Sequence, residues 1–386
     1  MGTMAKNRKI MLMLEPMGGY IHGILRGIKK YNNMHDNKWS FYRHPDEQHS
    51  LLPYLQINEA DGIIGFVSEF KEPGHEQKLI SLGTPTIAVV YEEKITGLPT
   101  IVVDSYGIGQ MGAEHLLERG FRHFAYCGYS TIPSSVERGR GFIDRIKKAG
   151  YETFAYELTS QQWDTDECSK WDWLKTMSKP FGLMAYHDNS ALFAIESCKI
   201  FGLEIPNDVA ILGVDNDEFF CDLATPPLSS IETGTELAGY EAAELLAKFI
   251  AGKKMNNEQV VVRPLRVITR QTTDILAIED EQISQAIRYI REHSRHLIQV
   301  NDIARKVGLS RRVLYNRFHE AIGHSVHDEI TRVRTEQIAT LLIGTNMPIT
   351  KIALDLGYSD ADHIARYFRR NKGISPLQYR KLYGIK

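Results

Sequence analysis

Residues 300–323, VNDIARKVGLSRRVLYNRFHEAIG, and their echo in residues 349–373, ITKIALDLGYSDADHIARYFRRNKG, decide how the chain reads. In the first stretch Ile303, Ala304, Gly308 and Leu314 stand where two short helices joined by a tight turn need them. A small residue marks the crossing, a glycine the turn, and apolar residues lie beneath. Ile352, Ala353 and Gly357 repeat the arrangement 49 residues later. Ser310 and Ser359 follow the two turns and are predicted as N-caps, because a short hydroxyl side chain accepts from first-turn N–H groups. Leu314, Phe318, Ile364 and Phe368 are predicted core. The intervening RVRTEQIATLLIGT, residues 332–345, predicts one amphipathic helix with Val333, Ile338, Leu341 and Leu342 available for burial. One such hairpin is a weak signal, and two at matched spacing are a strong one.

Charge separates this region from the rest. Residues 284–386 hold 18 Lys and Arg against 9 Asp and Glu, a net of +9, whereas the whole chain is at -2, leaving -11 for residues 1–283. A basic end on an acidic body predicts that the end meets a polyanion and the body does not. With 386 residues, two or three folding units are expected, and 43% hydrophobic with 24% charged residues reads as ordinary globular protein. Cys127, Cys168, Cys198 and Cys221 are scattered without a CxxC pair, so neither a zinc site nor a disulfide framework is indicated, and a reducing cytoplasm fits. The apolar run Ile10 to Leu14 is too short for a leader or a membrane span and reads as a first strand.

Residues 9–273 alternate short β-branched runs (IMLML, GIIGFV, TIAVV, TIVVD, HFAYCG, GLMAY, VAILGVD) with helical segments at 107–119, 138–148, 189–201 and 236–250. That is a parallel α/β pattern with helices on both faces of the sheet. The strands stop near Asp274. The expected division is 1–273 for a two-lobed domain, 274–283 for a linker and 284–386 for the helical domain, with its units near 300–321 and 349–372. No catalytic constellation assembles. There is no GxxxxGK[ST] loop and no GxSxG elbow, and SYGIGQMG at 105–112 opens a helix without the rest of a dinucleotide fingerprint. His187 beside Asp188 reads as a polar strand-end pair lining a cleft rather than an acid–base couple. No enzyme, cofactor or metal site is expected.

The segments IARKVGLSRRVLYNRF, RVRTEQIATLL and ITKIALDLGYSDADHIARYFRRNKGISPLQYR closely resemble the AraC/XylS family DNA-binding domain over about the last hundred residues. The resemblance implies two helices in successive major-groove segments of double-stranded operator DNA, roughly 34 Å apart. It carries base contacts onto Arg312, Tyr315 and Asn316 in the first helix, with Arg311 near the backbone, and onto Asp362, His363 and Arg366 in the second. Arginine suits guanine O6/N7 and asparagine suits adenine N6/N7. Arg369, Arg370 and Lys372 are phosphate ligands or simply a solvated face. His363 beside Ile364 departs from the small or aromatic residue the family carries there.

The body resembles the periplasmic-binding-protein-like sensor of LacI/GalR regulators through VVDSYGIGQMGAEHLLERGFRHFAYCG, SSVERGRGF, GLMAYHDNSALFAI and IPNDVAILGVDNDEF. Joined to the C-terminal domain, and with GVDNDEF and RPLRVITRQTTD, it is similar to pentose-operon regulators of the xylose type. The implied fold class is an α/β two-lobed periplasmic-binding-protein-like sensor plus an all-α tandem helix-turn-helix domain. The implied ligand is a pentose, D-xylose first, held by Arg138, Asp188 and Asp215, with Trp163 and Tyr20 as looser matches. Guanidinium and carboxylate groups can each bind two vicinal hydroxyls, and an aromatic face covers the C–H side of a sugar ring. Alternatively Arg138 pairs with Asp215 across the lobes, Asp188 caps the following helix, and Trp163 is lobe core. A homodimer joined through the sensor, contact with RNA polymerase, and transcription activation complete the expectation, with repression and other small ligands left open.

Overall fold

The computed structural model describes residues 7–13, 19–35, 37–43, 60–66, 80–81, 83–90, 97–158, 168–255, 258–278 and 280–383. The apolar runs form strands β1 (Arg8–Met13), β2 (Trp39–Arg43), β3 (Gly62–Phe66), β4 (Thr86–Val90), β5 (Thr100–Val103), β6 (His123–Tyr129), β7 (Thr153–Leu158), β8 (Phe181–Ala185), β9 (Val209–Val214), β10 (Ser229–Glu232), β11 (Gln259–Val262) and β12 (Arg266–Ile268). They make two six-stranded sheets, ordered β11-β5-β4-β3-β1-β2 and β12-β10-β9-β8-β6-β7. The pairings are parallel except β10 with β12. β4 and β9 are buried at every residue, which explains why they read as unbroken apolar runs rather than alternating ones.

Helices α1 (Gly19–Met34), α2 (Ser105–Leu117), α3 (Pro133–Lys148), α4 (Asp188–Phe201), α5 (Glu218–Leu223) and α6 (Thr235–Ile250) accompany the sheets. The chain passes between the two lobes three times: from β5 into α2, from β10 into α6, and from β11 to β12. In each sheet the strand order reverses beside the first strand of its lobe, so the carboxyl ends of β1, β6, β8 and β9 open toward the place where such sheets bind ligands. Met1–His115 and His123–Asp274 form one compact unit; Leu116–Arg122 and Ile275–Lys386 form the second.

The second unit contains α7 (Glu281–Glu292), α8 (Val300–Lys306), α9 (Arg311–Ile322), α10 (Val326–Gly344), α11 (Ile349–Asp355), α12 (Ala361–Lys372) and α13 (Pro376–Tyr383). Gly308 (φ 69) and Gly357 (φ 76) take the left-handed turns that the two hairpins require. Leu314, Phe318, Ile364 and Phe368 are completely buried, but in two different cores. Ile287, Ile303, Leu314, Phe318 and Ile330 share the first; Ile338, Leu342, Ile352, Ile364 and Phe368 share the second. α10 therefore gives its first half to one core and its second half to the other. It starts at Val326, before the predicted 332, because Ser325 and Asp328 form a capping box.

Ser310 caps α9 as expected, accepting from the Val313 N–H. The cap of α12 is Asp360, not Ser359: its carboxylate accepts from the His363 N–H at 2.7 Å and from the Ser359 hydroxyl at 2.8 Å. The anionic acceptor wins over its neutral neighbour.

Two buried charges sit on α10. Arg334 donates to the carbonyls of Ser294, His296 and Leu356, with its guanidinium 4.9 Å above the Tyr358 ring. Glu329, wholly buried, accepts from Arg332 Nε at 2.9 Å and Nη2 at 2.8 Å and meets His324 Nε2 at 3.0 Å. Burial opposes its ionisation, but the His324 hydrogen bond and the Arg332 charge prevail and hold the carboxyl down at about 2. A depressed native pKa adds stability above the free value of 4.5 that disappears as pH falls toward 2. Glu329→Gln is expected to destabilise the second unit by about 3–5 kcal/mol at neutral pH. It should also flatten the acid limb of the stability profile, as read by urea midpoints against pH.

Candidate functional site

Four of the five sensor residues singled out above are described, and three of them converge. Tyr20 opens α1 on the first lobe, and its ring lies where Asp215, Tyr186 and Arg138 of the second lobe all act on the phenol. Burial and then the Asp215 charge push that phenol well up, against the pull of Arg138. Arg138, on α3, is 1% exposed; it donates to the Tyr186 carbonyl and lies 4.7 Å above the Tyr186 ring. Arg138 and Asp215 stand on the same lobe, so a pairing between them would not bridge the lobes. Trp163 lies outside the described residues.

Asp215 follows β9 with φ 99, and Asn216 follows with φ 48, so the chain turns sharply at the strand end through a conformation that Asp and Asn tolerate better than most residues. Burial raises the Asp215 carboxyl to about 6, offset by Arg138 and reinforced by Asp217. Across the lobes, His22 Nδ1 is 3.7 Å from Asp217 Oδ2. A Cβ at Gly19 would lie 2.8 Å from that of Asp217, so α1 and the 215–217 turn are in close contact.

Asp188 occupies a different position. Its Oδ2 accepts from the Asp217 N–H at 2.8 Å and the Cys221 thiol at 3.5 Å, and its Oδ1 accepts from the Ser230 hydroxyl at 2.5 Å. Burial and then Asp215 push it up to about 8, against these donors. It does not cap α4. The cap is His187, whose Nδ1 accepts from the Ser190 N–H at 3.0 Å, and burial, with Arg138 adding to it, brings that imidazole down to about 4. Tyr186 and His187 are the neighbours that sequence reasoning undervalued. The signal available was their place at the carboxyl end of β8.

In the second unit, Arg311, Arg312 and Asn316 are exposed along α9, with Tyr315 half-buried. The Arg311 guanidinium lies 5.5 Å above the Tyr315 ring. Asp362, His363 and Arg366 are exposed on α12, as are Arg369 and Arg370. Lys372 is half-buried and paired with Glu336, which makes it part of the fold of α12 against α10 rather than a free phosphate ligand. Arg317, between the exposed positions, is turned inward: Nε reaches Asp280 at 2.6 Å and Nη1 reaches Gln282 at 2.8 Å. The two exposed rows thus stand on helices held from behind by Phe318 and Phe368.

Residues 113–273 match the family described as periplasmic binding protein-like domain, and residues 303–382 match a helix-turn-helix domain. The xylose operon regulatory protein of Escherichia coli (strain K12) is 27% identical over 388 residues, covering 97% of each chain. That of Haemophilus influenzae is 27% identical over 382 residues, covering 96% of this chain and 98% of the relative. A solved structure of the xylose-binding transcription activator xylR superposes with a TM-score of 0.62 at 25% identity, over 98% of this chain and 99% of that one. Over nearly its whole length the chain is thus similar to xylose operon regulatory proteins, with a periplasmic binding protein-like domain followed by a helix-turn-helix domain.

Proposed function

We propose that this chain is a D-xylose-responsive, DNA-binding transcription regulator that activates pentose catabolic genes in the cytoplasm. The observation that carries the reading is the contact of α1 with the 215–217 turn, at Gly19 and His22, which brings Tyr20 from one lobe within electrostatic reach of Asp215, Arg138 and Tyr186 of the other. It occurs in a chain that is similar over 97% of its length to a xylose operon regulatory protein. Among the described residues no helix is long and apolar enough to cross a membrane.

Arg138 offers only donors and Asp215, ionised, only acceptors, so together they suit adjacent hydroxyls of a polyol. Tyr20 and Tyr186 supply ring faces for its C–H surface. A neutral sugar adds no charge beside the buried Asp215 carboxylate, whereas an anion would meet it. Asp188 acts one step back: by accepting from Asp217 N–H and Ser230 it fixes the turn that presents Asp215. Sugar touching both lobes favours their closed arrangement. Moving that equilibrium from mostly open to mostly closed takes about 5.5 kcal/mol of differential binding. The exposed rows of α9 and α12 then read operator DNA. A homodimer through the sensor is supported by Phe219 and Leu223, 71% and 68% exposed on α5. Contact with RNA polymerase is part of the proposed activation.

A thermal-shift series with D-xylose, L-arabinose, D-ribose, D-glucose and adenine tests the sensor. D-xylose is expected to raise the melting temperature most. Asp215→Asn, chosen because asparagine tolerates φ 99, should remove most of that rise while leaving the unliganded protein intact. Asp188→Ala should instead cost about 1–3 kcal/mol of unliganded stability, since its buried donors lose their acceptor. A D-xylose shift that survives Asp215→Asn unchanged would remove the pocket.

DNA recognition is tested separately with duplexes selected from a random pool. Arg312→Ala should cost about 1–3 kcal/mol and relax the preference at one base. Arg370→Ala should weaken all duplexes alike and lower the salt slope by about one ion.

A further inference from the structure

α2 packs against α3 with their backbones nearly touching. A Cβ at Gly109 would stand 1.9 Å from the Arg138 carbonyl oxygen, and one at Gly141 would stand 2.1 Å from that of Tyr106. At the far end of α2, His115 meets Thr273 Oγ1 at 2.9 Å, and Thr273 donates to Ser229 at 2.8 Å. Backbones packed this closely transmit displacement rather than absorb it, so α2 and the helix bearing Arg138 behave as one body.

The last two residues of α2 and those that follow it change allegiance. Leu116–Arg122 belong to the compact unit that contains both helix-turn-helix hairpins. There the Arg119 carbonyl accepts from the Ala277 N–H at 2.7 Å, Gly120 at φ 79 lies against Ala277 and Ile278, and Phe121 is buried. Glu118 Oε2 meets Arg332 Nη1 on α10 at 2.7 Å, with the glutamate side chain 11% exposed. Arg332 is already neutralised by two hydrogen bonds to Glu329. The segment is already tied by the Ala277 bond and the contact of Gly120 with Ile278. Neither side needs the second carboxylate to be held.

We propose that the Glu118–Arg332 ion pair is the coupling contact through which sugar bound at Arg138 acts on α10, the helix that joins the two hairpins. Glu118 is thus a positioning residue for DNA recognition. The proposal rests on the sugar-sensing reading above. Its physical content is a charge one residue beyond α2, whose earlier turns pack on the helix bearing Arg138, placed against a helix that, among the described residues, belongs to both DNA-reading cores. A small shift of Glu118 alters the hold on Arg332 without passing through either core.

The experiment compares the full-length wild type with Glu118→Gln, Arg332→Gln and the double variant. Three quantities are read: D-xylose affinity by calorimetry, melting temperature, and affinity for a pool-selected duplex with and without saturating D-xylose. Glu118→Gln should keep D-xylose affinity within about twofold and the wild-type melting temperature. The factor by which D-xylose changes DNA affinity should fall about fivefold or more. The double variant should lose no more coupling than Arg332→Gln alone, because one contact cannot be broken twice. A Glu118→Gln protein with the full wild-type response overturns the proposal. One that loses D-xylose affinity or melting temperature in step with the response gives Glu118 a structural role and overturns it as well. A wild type whose DNA affinity ignores D-xylose overturns the sensing reading itself and the coupling with it, a result distinct from a response that the variants retain.

Discussion

The constraint on which the rest of the molecule depends is the rigidity of α10. Two hairpins can serve one duplex only if their reading helices keep a fixed separation, near one turn of DNA, roughly 34 Å. A helix of 19 residues is roughly 28 Å long and can hold such a spacing if it neither bends nor frays. Its two halves are buried in different cores, so neither hairpin can rotate without exposing Ile330 on one side or Ile338 on the other. Arg334 adds a directional lock. One guanidinium accepts no compromise in geometry, and it holds carbonyls from the end of the first hairpin's support and from the turn of the second.

The sensor half works from the opposite premise. Its two lobes are joined by three chain crossings, and its candidate pocket is built from groups that burial makes costly to charge. Asp188 and Asp215 are both raised, the first because it is buried beside the second. A neutral, hydroxyl-rich ligand suits this environment, since it supplies hydrogen-bond partners without adding charge. The division of labour between the two carboxylates follows from geometry: Asp188 is filled by donors from the protein, while Asp215 stands at the strained strand end facing Tyr20.

The hairpins were legible in the sequence because their signals are local. Gly308 and Gly357 announce turns that need positive φ, and Ala304 and Ala353 announce helix crossings. The α/β body was legible for a related reason: strands buried on both faces leave continuous apolar runs such as VAILGV. What could not be read depends on residues distant in the chain. Asp188 looked like a ligand group because nothing nearby reveals that residues 217, 221 and 230 would supply its donors. Tyr186 passed unremarked at the end of the run GLMAY, since only folding brings Arg138 over its ring. Ser359 and Asp360 are adjacent rival caps, and only helix geometry chose between them. Residues 116–122 fell inside the expected 1–273 domain, because the contacts that draw them to the second unit, such as Arg119 with Ala277, join residues distant in the chain.

If sugar and DNA act on one protein equilibrium, linkage makes their effects on each other reciprocal. The most direct measurement is a calorimetric titration of D-xylose into the protein alone and into its complex with a selected duplex. If the account holds, DNA changes the D-xylose affinity by the same factor as D-xylose changes the DNA affinity. Equal D-xylose affinities with and without DNA would contradict it, leaving two domains that share a chain but no common switch.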